Sequence, residues 1–230
     1  MRRHRKFVAA LGLLFVLTVV GVLALEVGWP HSRPPLGAGE SYGIDVSAHQ
    51  GSIDWGAVAA DGIHAAYVKA TEGATFRDPR FEDNWRGARA AGLQVGAYHF
   101  FTLCRGGAEQ ATNLLTELGQ VGGTQGSGTL PVAVDLELSG NCSRRPPRAE
   151  VQREVDTFVT MVERATGRPV VYYLLGSWAE RYPPSSERPH WVRSLLRRPG
   201  ADWVWWQGNS RARVDGIDGP VDLNVARAPD

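Results

Sequence analysis

Clusters of metal ligands are missing from the sequence. Its six histidines are scattered along 230 residues and its two cysteines lie far apart. No His-x-x-x-His pair or clustered Cys/His spacing of the kind that holds zinc is present. The sequence therefore predicts no metal site. Cys104 and Cys142 each follow a predicted strand. If those strands are neighbours, a disulfide can join the two loops in an oxidising compartment, and two free thiols are the alternative.

An excess of positive charge is also missing. The net charge is +1, and four of the positive charges lie within the first six residues, which leaves −3 on the remainder. That balance excludes a general nucleic-acid-binding protein. The sequence also contains no internal repeat.

One long apolar run is present near the amino terminus. Residues 7–25 follow a basic cap at residues 1–6 and approach the roughly 20 residues that span a bilayer. The basic flank predicts a transmembrane signal-anchor with its amino end in the cytoplasm, a proline- and glycine-rich linker over residues 26–40, and one exported domain over residues 41–230. The expected location is thus the cytoplasmic membrane, single-pass, with the domain outside. A cleavable signal peptide, giving a secreted protein, is the alternative.

Two carboxylates lie two residues apart in an apolar run. Asp135 and Glu137 belong to residues 130–138, which read as a buried strand. Side chains two apart share a face of a strand, so both acids leave one otherwise apolar face. Because buried carboxylates need partners or a proton, this pair indicates an acid–base site of the kind that cleaves glycosidic bonds. An edge strand with two solvated acids is the alternative.

Short apolar strands alternate with helical patterns along the domain. Residues 149–165 form the strongest helical pattern, with one apolar stripe that ends before Gly167. Eight alternating strands predict an α/β fold, an irregular TIM-like (β/α) barrel of parallel strands with fewer outer helices late in the chain. The predicted strands are residues 42–46, 65–70, 95–101, 130–138, 170–174, 191–195, 203–207 and 221–225.

Polar residues fall near the ends of these strands, where barrel enzymes carry their chemistry. Any one of them alone is better explained as a cap or a salt bridge, but together they indicate one polar rim. The set is Asp45, Glu72, His99, Asp135, Glu137, Tyr172 or Tyr173, Gln207 and Asp222.

The region from Tyr42 to Val225 resembles glycoside hydrolase family 25, the lysozymes that cleave peptidoglycan as N-acetylmuramidases. Each motif is weak alone, but their order over nearly the whole exported domain is specific. The motifs are Gly43-Ile-Asp-Val-Ser47 with His49-Gln-Gly51 and Ile53-Asp-Trp55, Lys69-Ala-Thr-Glu-Gly73, Gly96-Ala-Tyr-His-Phe100, Asp135-Leu-Glu137, Pro169-Val-Val-Tyr172, Trp205-Trp-Gln207 and Gly219-Pro-Val-Asp-Leu-Asn224.

The resemblance implies a barrel with a carboxylate-lined groove, peptidoglycan as substrate and no cofactor. A monomer is expected. By resemblance, Glu137 is the general acid, Asp135 stays ionised beside the developing charge, and Asp45 and Asp222 orient groups or activate water. Lys69 is expected to pair with a barrel carboxylate. The expected substrate-binding residues are Tyr98, Tyr172, Trp206, Gln207 and Glu72.

Parts of the chain depart from the family pattern. Cys104, Cys142, the loop over residues 141–147 and the proline-rich residues 183–189 do not belong to it. Two other functions stay open from sequence. One is a catalytically silent, membrane-tethered peptidoglycan-binding module, and the other is a barrel hydrolase that acts on a different amino-sugar polymer.

Overall fold

A closed barrel of eight strands forms the body of the protein. The computed structural model describes residues 2–23, 28–124, 126–195, 197–200 and 202–227. The strands are β1 (Glu40–Val46), β2 (Ile63–Glu72), β3 (Phe76–Arg77), β4 (Gln94–Phe100), β5 (Ala133–Leu136), β6 (Val171–Leu174), β7 (His190–Arg193), β8 (Trp205–Ala212) and β9 (Val221–Arg227). The helices are α1 (Arg2–Leu23), α2 (Trp29–His31), α3 (Trp55–Ala60), α4 (Phe81–Ala90), α5 (Gly107–Gln120), α6 (Arg148–Thr166) and α7 (Gly176–Arg181).

The barrel closes because β1 pairs with both β2 and β9. All eight predicted strands are present, and the short β3 is an added hairpin partner of β2. The prediction of an all-parallel barrel is wrong at one strand, since β9 runs antiparallel to both β8 and β1. The chain between Ala212 and Val221 is too short for the crossover of about a dozen residues that a parallel strand needs.

Large aromatic side chains fill the part of the barrel interior that lies away from the carboxyl ends of the parallel strands. The ring of Tyr67 packs against that of Trp191 at 5.0 Å and against that of Trp205 at 4.9 Å between centroids. Two glycines make room for them: a Cβ on Gly43 would lie 2.5 Å from Trp205, and one on Gly96 would lie 2.4 Å from Tyr67. The interior is therefore a packed core that supports the opposite, polar rim.

Helices cover the outside of β2 to β6. The apolar stripe predicted for α6 is confirmed, and α6 ends at Gly167, whose φ of 68° suits glycine. The buried stripe residues are Val151, Val155, Phe158, Val159 and Val162.

The segment over residues 29–39, which we call the strap, is fixed to the outer face of the barrel. Asn209 of β8 donates hydrogen bonds to the carbonyls of Trp29 at 2.8 Å and Ser32 at 3.0 Å. Arg33 pairs with Asp61 at 2.5 Å. The interpretation of these residues as a free linker is therefore revised: they are held against β8 from its carboxyl end down to the start of β1. Residues 26 and 27, at the start of the predicted linker, lie outside the described residues.

Replacing Asn209 by alanine is expected to loosen the strap. Asn209 is 1% exposed and also accepts a hydrogen bond from the amide of Arg211, so its loss removes the side-chain hydrogen bonds that join the strap to β8. We expect the free energy of unfolding to fall by about 1–3 kcal/mol. Chemical denaturation measures this, and limited proteolysis of the folded variant should show new cleavage within residues 29–39. An unchanged midpoint and digestion pattern would show that the strap is held by other contacts.

The amino-terminal helix α1 exposes the apolar side chains described along it, from Leu11 to Val20. Within the described ranges, no helix combines the length and the apolar character needed to cross a bilayer. The predicted segment of residues 7–25 ends in residues 24 and 25, which lie outside those ranges.

Candidate active site

Four carboxylates meet at one end of the barrel interior. Asp45 near the end of β1, Asp135 on β5, Glu137 just after β5 and Asp222 on β9 line one cavity of about 150 Å³. Because β9 is antiparallel, its beginning lies where the other strands end, and Asp222 is the direct partner of Asp45. The expectation that the first and last strands bring their acids to one rim agrees with this placement. The remaining lining residues are Tyr98, Ala133, Tyr173 and Trp191.

Amide and indole groups hold part of this cluster. Asn224 donates to Oδ2 of Asp45 at 2.7 Å, and its own oxygen accepts from Nε1 of Trp191 at 2.9 Å. Gln207 hydrogen-bonds Asp222 and accepts from the hydroxyl of Tyr173 at 2.8 Å. Oδ1 of Asp135, by contrast, is buried with no hydrogen-bond partner among the described residues.

Burial favours the neutral forms of these acids. It holds the pKa of Asp45 well above its ordinary value, helped by Asp222, and that of Asp135 likewise, helped by Glu137. Burial also raises the pKa of Glu137 and of Asp222, with Arg193 opposing it in both cases. In the free protein the protons therefore belong to the cluster rather than to one carboxylate. The ionised state of Asp135 stays a prediction from the family resemblance.

The sequence of the barrel domain matches a known protein family. Residues 44–217 match Glycosyl hydrolases family 25. The chain belongs to glycoside hydrolase family 25.

Relatives of the chain come from bacteria and fungi. The family 25 chain is 38% identical over 199 residues to the uncharacterized protein YegX of Escherichia coli strain K12, covering 80% of this chain and 68% of YegX. It is 34% identical over 197 residues to Lysozyme M1 of Streptomyces globisporus, covering 79% of this chain and 66% of that protein. The solved family 25 glycosyl hydrolase of Bacillus anthracis superposes with a TM-score of 0.76 at 28% identity, covering 87% and 94% of the two chains.

The predicted aromatic wall of the family 25 site needs two corrections. Tyr98 lines the cavity as expected, but Tyr172 points outward into the core between barrel and helices, and Tyr173 faces the cavity. Trp206 also points outward, packs on Trp203 and donates to the carbonyl of Ser194 at 2.8 Å. Trp191 of β7 contributes the indole that faces the cavity.

Strand register explains both errors. Adjacent residues of a strand point to opposite faces, but this alternation does not determine which of two adjacent aromatic side chains faces inward. Tyr173 pairs with Asp135, and this register turns it into the site. Asn224 could have been found from sequence, because it lies two residues after Asp222 and shares its face.

Three other residues predicted for the polar rim lie in different places. Gln207 faces inward and contacts Asp222 as described above. Glu72 does not line the cavity; its carboxylate accepts from Nζ of Lys69 at 2.7 Å, which agrees with the expectation that Lys69 pairs with a barrel carboxylate. His99 faces outward, bonds Thr71 at 2.7 Å, and burial lowers its pKa to about 3. It belongs to the packing behind the site.

The predicted disulfide is present. Cys104 and Cys142 are bonded and join the loops that follow β4 and β5 at the carboxylate rim. The alternative of two free thiols is thereby excluded. In the part of the chain that the structure describes, no group of three or more His, Cys, Asp or Glu side chains is arranged to hold a metal ion.

Proposed function

We propose that this family 25 protein hydrolyses the β-1,4 bond between N-acetylmuramic acid and N-acetylglucosamine in peptidoglycan, in cell-wall turnover or remodelling. The observation that carries the proposal is the convergence of Asp45, Asp135, Glu137 and Asp222 in one cavity with aromatic walls. Glycoside hydrolysis requires one carboxyl group that gives a proton and a second that stabilises an oxocarbenium-like charge. The name of the relative Lysozyme M1, which matches this chain over 197 residues, supports the same substrate class.

The site supports the following division of labour. Glu137 donates its proton to the leaving glycosidic oxygen, since burial keeps the pKa of this carboxyl raised. Asp135, with its unpartnered Oδ1, stabilises the positive charge that develops at the sugar, directly or by holding the N-acetyl group as its carbonyl attacks. Asp45, fixed by Asn224, and Asp222 orient these groups or activate water. Tyr98, Tyr173 and Trp191 contact the sugar rings.

A catalytically silent binding module is less consistent with this geometry. Such a module needs the aromatic walls but not four buried carboxylates, whose burial carries a free-energy cost. Retention of all four acids together with their supporting amides Asn224 and Gln207 favours an enzyme.

Digestion of purified peptidoglycan tests the proposal. The soluble products are reduced with borohydride, and the new reducing ends are identified after acid hydrolysis. We expect reduced muramic acid to be released in proportion to time. Reduced glucosamine would instead indicate cleavage of the other bond, and no release at all, with binding retained, would support the silent module. Parallel digestion of chitin tests whether another amino-sugar polymer is the substrate.

The charge of Arg193 is expected to set the upper pH limit of activity. Burial raises the pKa of Glu137, and the Arg193 guanidinium opposes that rise. Removing the cation in Arg193→Gln should raise the pKa further, so the protonated acid persists to higher pH. We expect the basic limb of the kcat/KM profile to move upward. Arg193→Lys keeps the charge and serves as the control. A basic limb that stays in place or moves downward in Arg193→Gln would contradict this role.

We also propose that the domain works outside the cytoplasmic membrane, held there by residues 7–25. The supporting features are the apolar run and its basic flank. Cell fractionation with amino-terminal sequencing tests this. A membrane-bound protein with an intact amino terminus is expected, and a soluble exported form starting near residue 25 would identify the segment as a cleaved signal peptide.

A further inference from the structure

The side chain of Asn141 forms hydrogen bonds with four backbone groups in the two loops that follow β4 and β5, behind Glu137. Its Nδ2 donates to the carbonyl of Phe101 at 2.8 Å and to that of Glu137 at 3.0 Å. Its Oδ1 accepts from the amides of Leu103 at 2.9 Å and Cys142 at 3.0 Å. A single carboxamide thus ties both loops together.

These bonds continue the barrel ladder beyond the point where its strands end. The carbonyl of Asp135 accepts from the amide of Phe101 on the β4 side, and that of Leu136 accepts from Leu175 on the β6 side. The next carbonyl, that of Glu137, has no strand beside it and is held by Asn141 instead. The backbone of the proposed acid is therefore fixed by a side chain and not by the sheet.

Two further features hold Asn141 in this place. Gly140 has a φ of +71°, which turns the chain back over the ends of β4 and β5 and suits glycine. The adjacent Cys142 is bonded to Cys104 of the opposite loop. We call Asn141 with the Cys104–Cys142 disulfide the loop clamp.

We propose that Asn141 is a positioning residue for Glu137, and that the loop clamp holds the proposed acid in its catalytic orientation. This inference rests on the proposed function and extends it to residues outside the family motifs. Asn141 acts through the Glu137 backbone and is placed behind the cavity, since it is not among the lining residues. A displacement on the order of 1 Å in a catalytic group costs up to about 10²-fold in rate. The clamp therefore affects turnover more than substrate binding.

The test compares steady-state kinetics of Asn141→Ala with wild type on soluble peptidoglycan fragments. We expect kcat to fall roughly 10- to 100-fold with KM changed by about twofold or less. Asn141→Asp is the second variant, because it keeps the acceptor for Leu103 and Cys142 but loses the donor to Glu137; it should lose kcat to a similar extent. The matched control is Asn209→Ala, which removes another asparagine that donates to two backbone carbonyls, in this case on the strap. Its kcat should stay at the wild-type value.

A second readout does not depend on turnover. The side-chain carboxyl of Glu137 is titrated by ¹³C NMR, with Glu137→Gln used for assignment. We expect the midpoint or the chemical shift of Glu137 to change in Asn141→Ala and to stay unchanged in Asn209→Ala. Wild-type kcat and an unchanged Glu137 titration in folded Asn141 variants would overturn the clamp. If wild type does not cut peptidoglycan, the proposed function fails, and the NMR titration alone decides the clamp.

Discussion

Glu137→Gln is expected to lower turnover on peptidoglycan by about 10²–10⁴-fold while the fold remains intact. Glutamine keeps the shape of the side chain but has no proton to give to the leaving glycosidic oxygen. Burial already raises the pKa of Glu137, which keeps a proton available in the free enzyme at higher pH than for an exposed glutamate. The measurement is release of reducing ends over time, with circular dichroism to verify folding.

Binding provides the internal control for this variant. Because the aromatic walls stay in place, Glu137→Gln should still bind glycan fragments with an affinity close to that of wild type. Glu109→Gln, at an exposed position on α5, is the matched surface control and should keep full activity. A folded Glu137→Gln protein with near-wild-type turnover would show that another carboxylate of the cluster supplies the proton.

The sequence predicts the strands well because each carries a local signal. All eight predicted strands form, and Asp135 and Glu137 share a face because the period of a strand is two residues. The apolar stripe of α6 is equally local, with a period near 3.6. The four carboxylates could be grouped before the structure because the order of the motifs matched a known family.

The remaining features depend on pairing between distant segments, which single-sequence patterns do not report. The direction of β9 follows from a short connection whose ends could not be fixed in sequence. Tyr172 and Tyr173 are adjacent and both apolar in character, so only the register with β5 shows that Tyr173 enters the site. Strand pairing likewise shows that Trp206 faces outward and that Trp191 faces the cavity. The strap looked like a linker because its proline and glycine content is that of one, while Asn209, which fixes it, lies far along the chain.

Asp135→Asn is expected to separate activity from stability. In the proposed mechanism Asp135 stabilises developing positive charge, so loss of its negative charge should lower kcat by about 10²–10³-fold, as removal of a preorganised electrostatic group does. The same substitution should stabilise the folded protein. Burial, together with the neighbouring Glu137, holds the pKa of Asp135 well above its ordinary value, and its Oδ1 has no hydrogen-bond partner among the described residues. Groups that destabilise the fold are expected at functional sites, where the activity requires them.

The sign of the pH dependence follows from that raised pKa. Between the unfolded pKa of about 3.9 and the higher folded value, the native state binds more protons at Asp135 than the unfolded state does. This carboxyl therefore lowers stability as pH rises through that window, and asparagine removes the effect. The gain in Tm of Asp135→Asn should be small near pH 3 and should grow toward neutral pH, and Asp83→Asn, at an exposed position, is the surface control. Calorimetry across this pH range decides the matter: a variant that is less stable than wild type at neutral pH would mean that Asp135 is ionised and well compensated in the free protein.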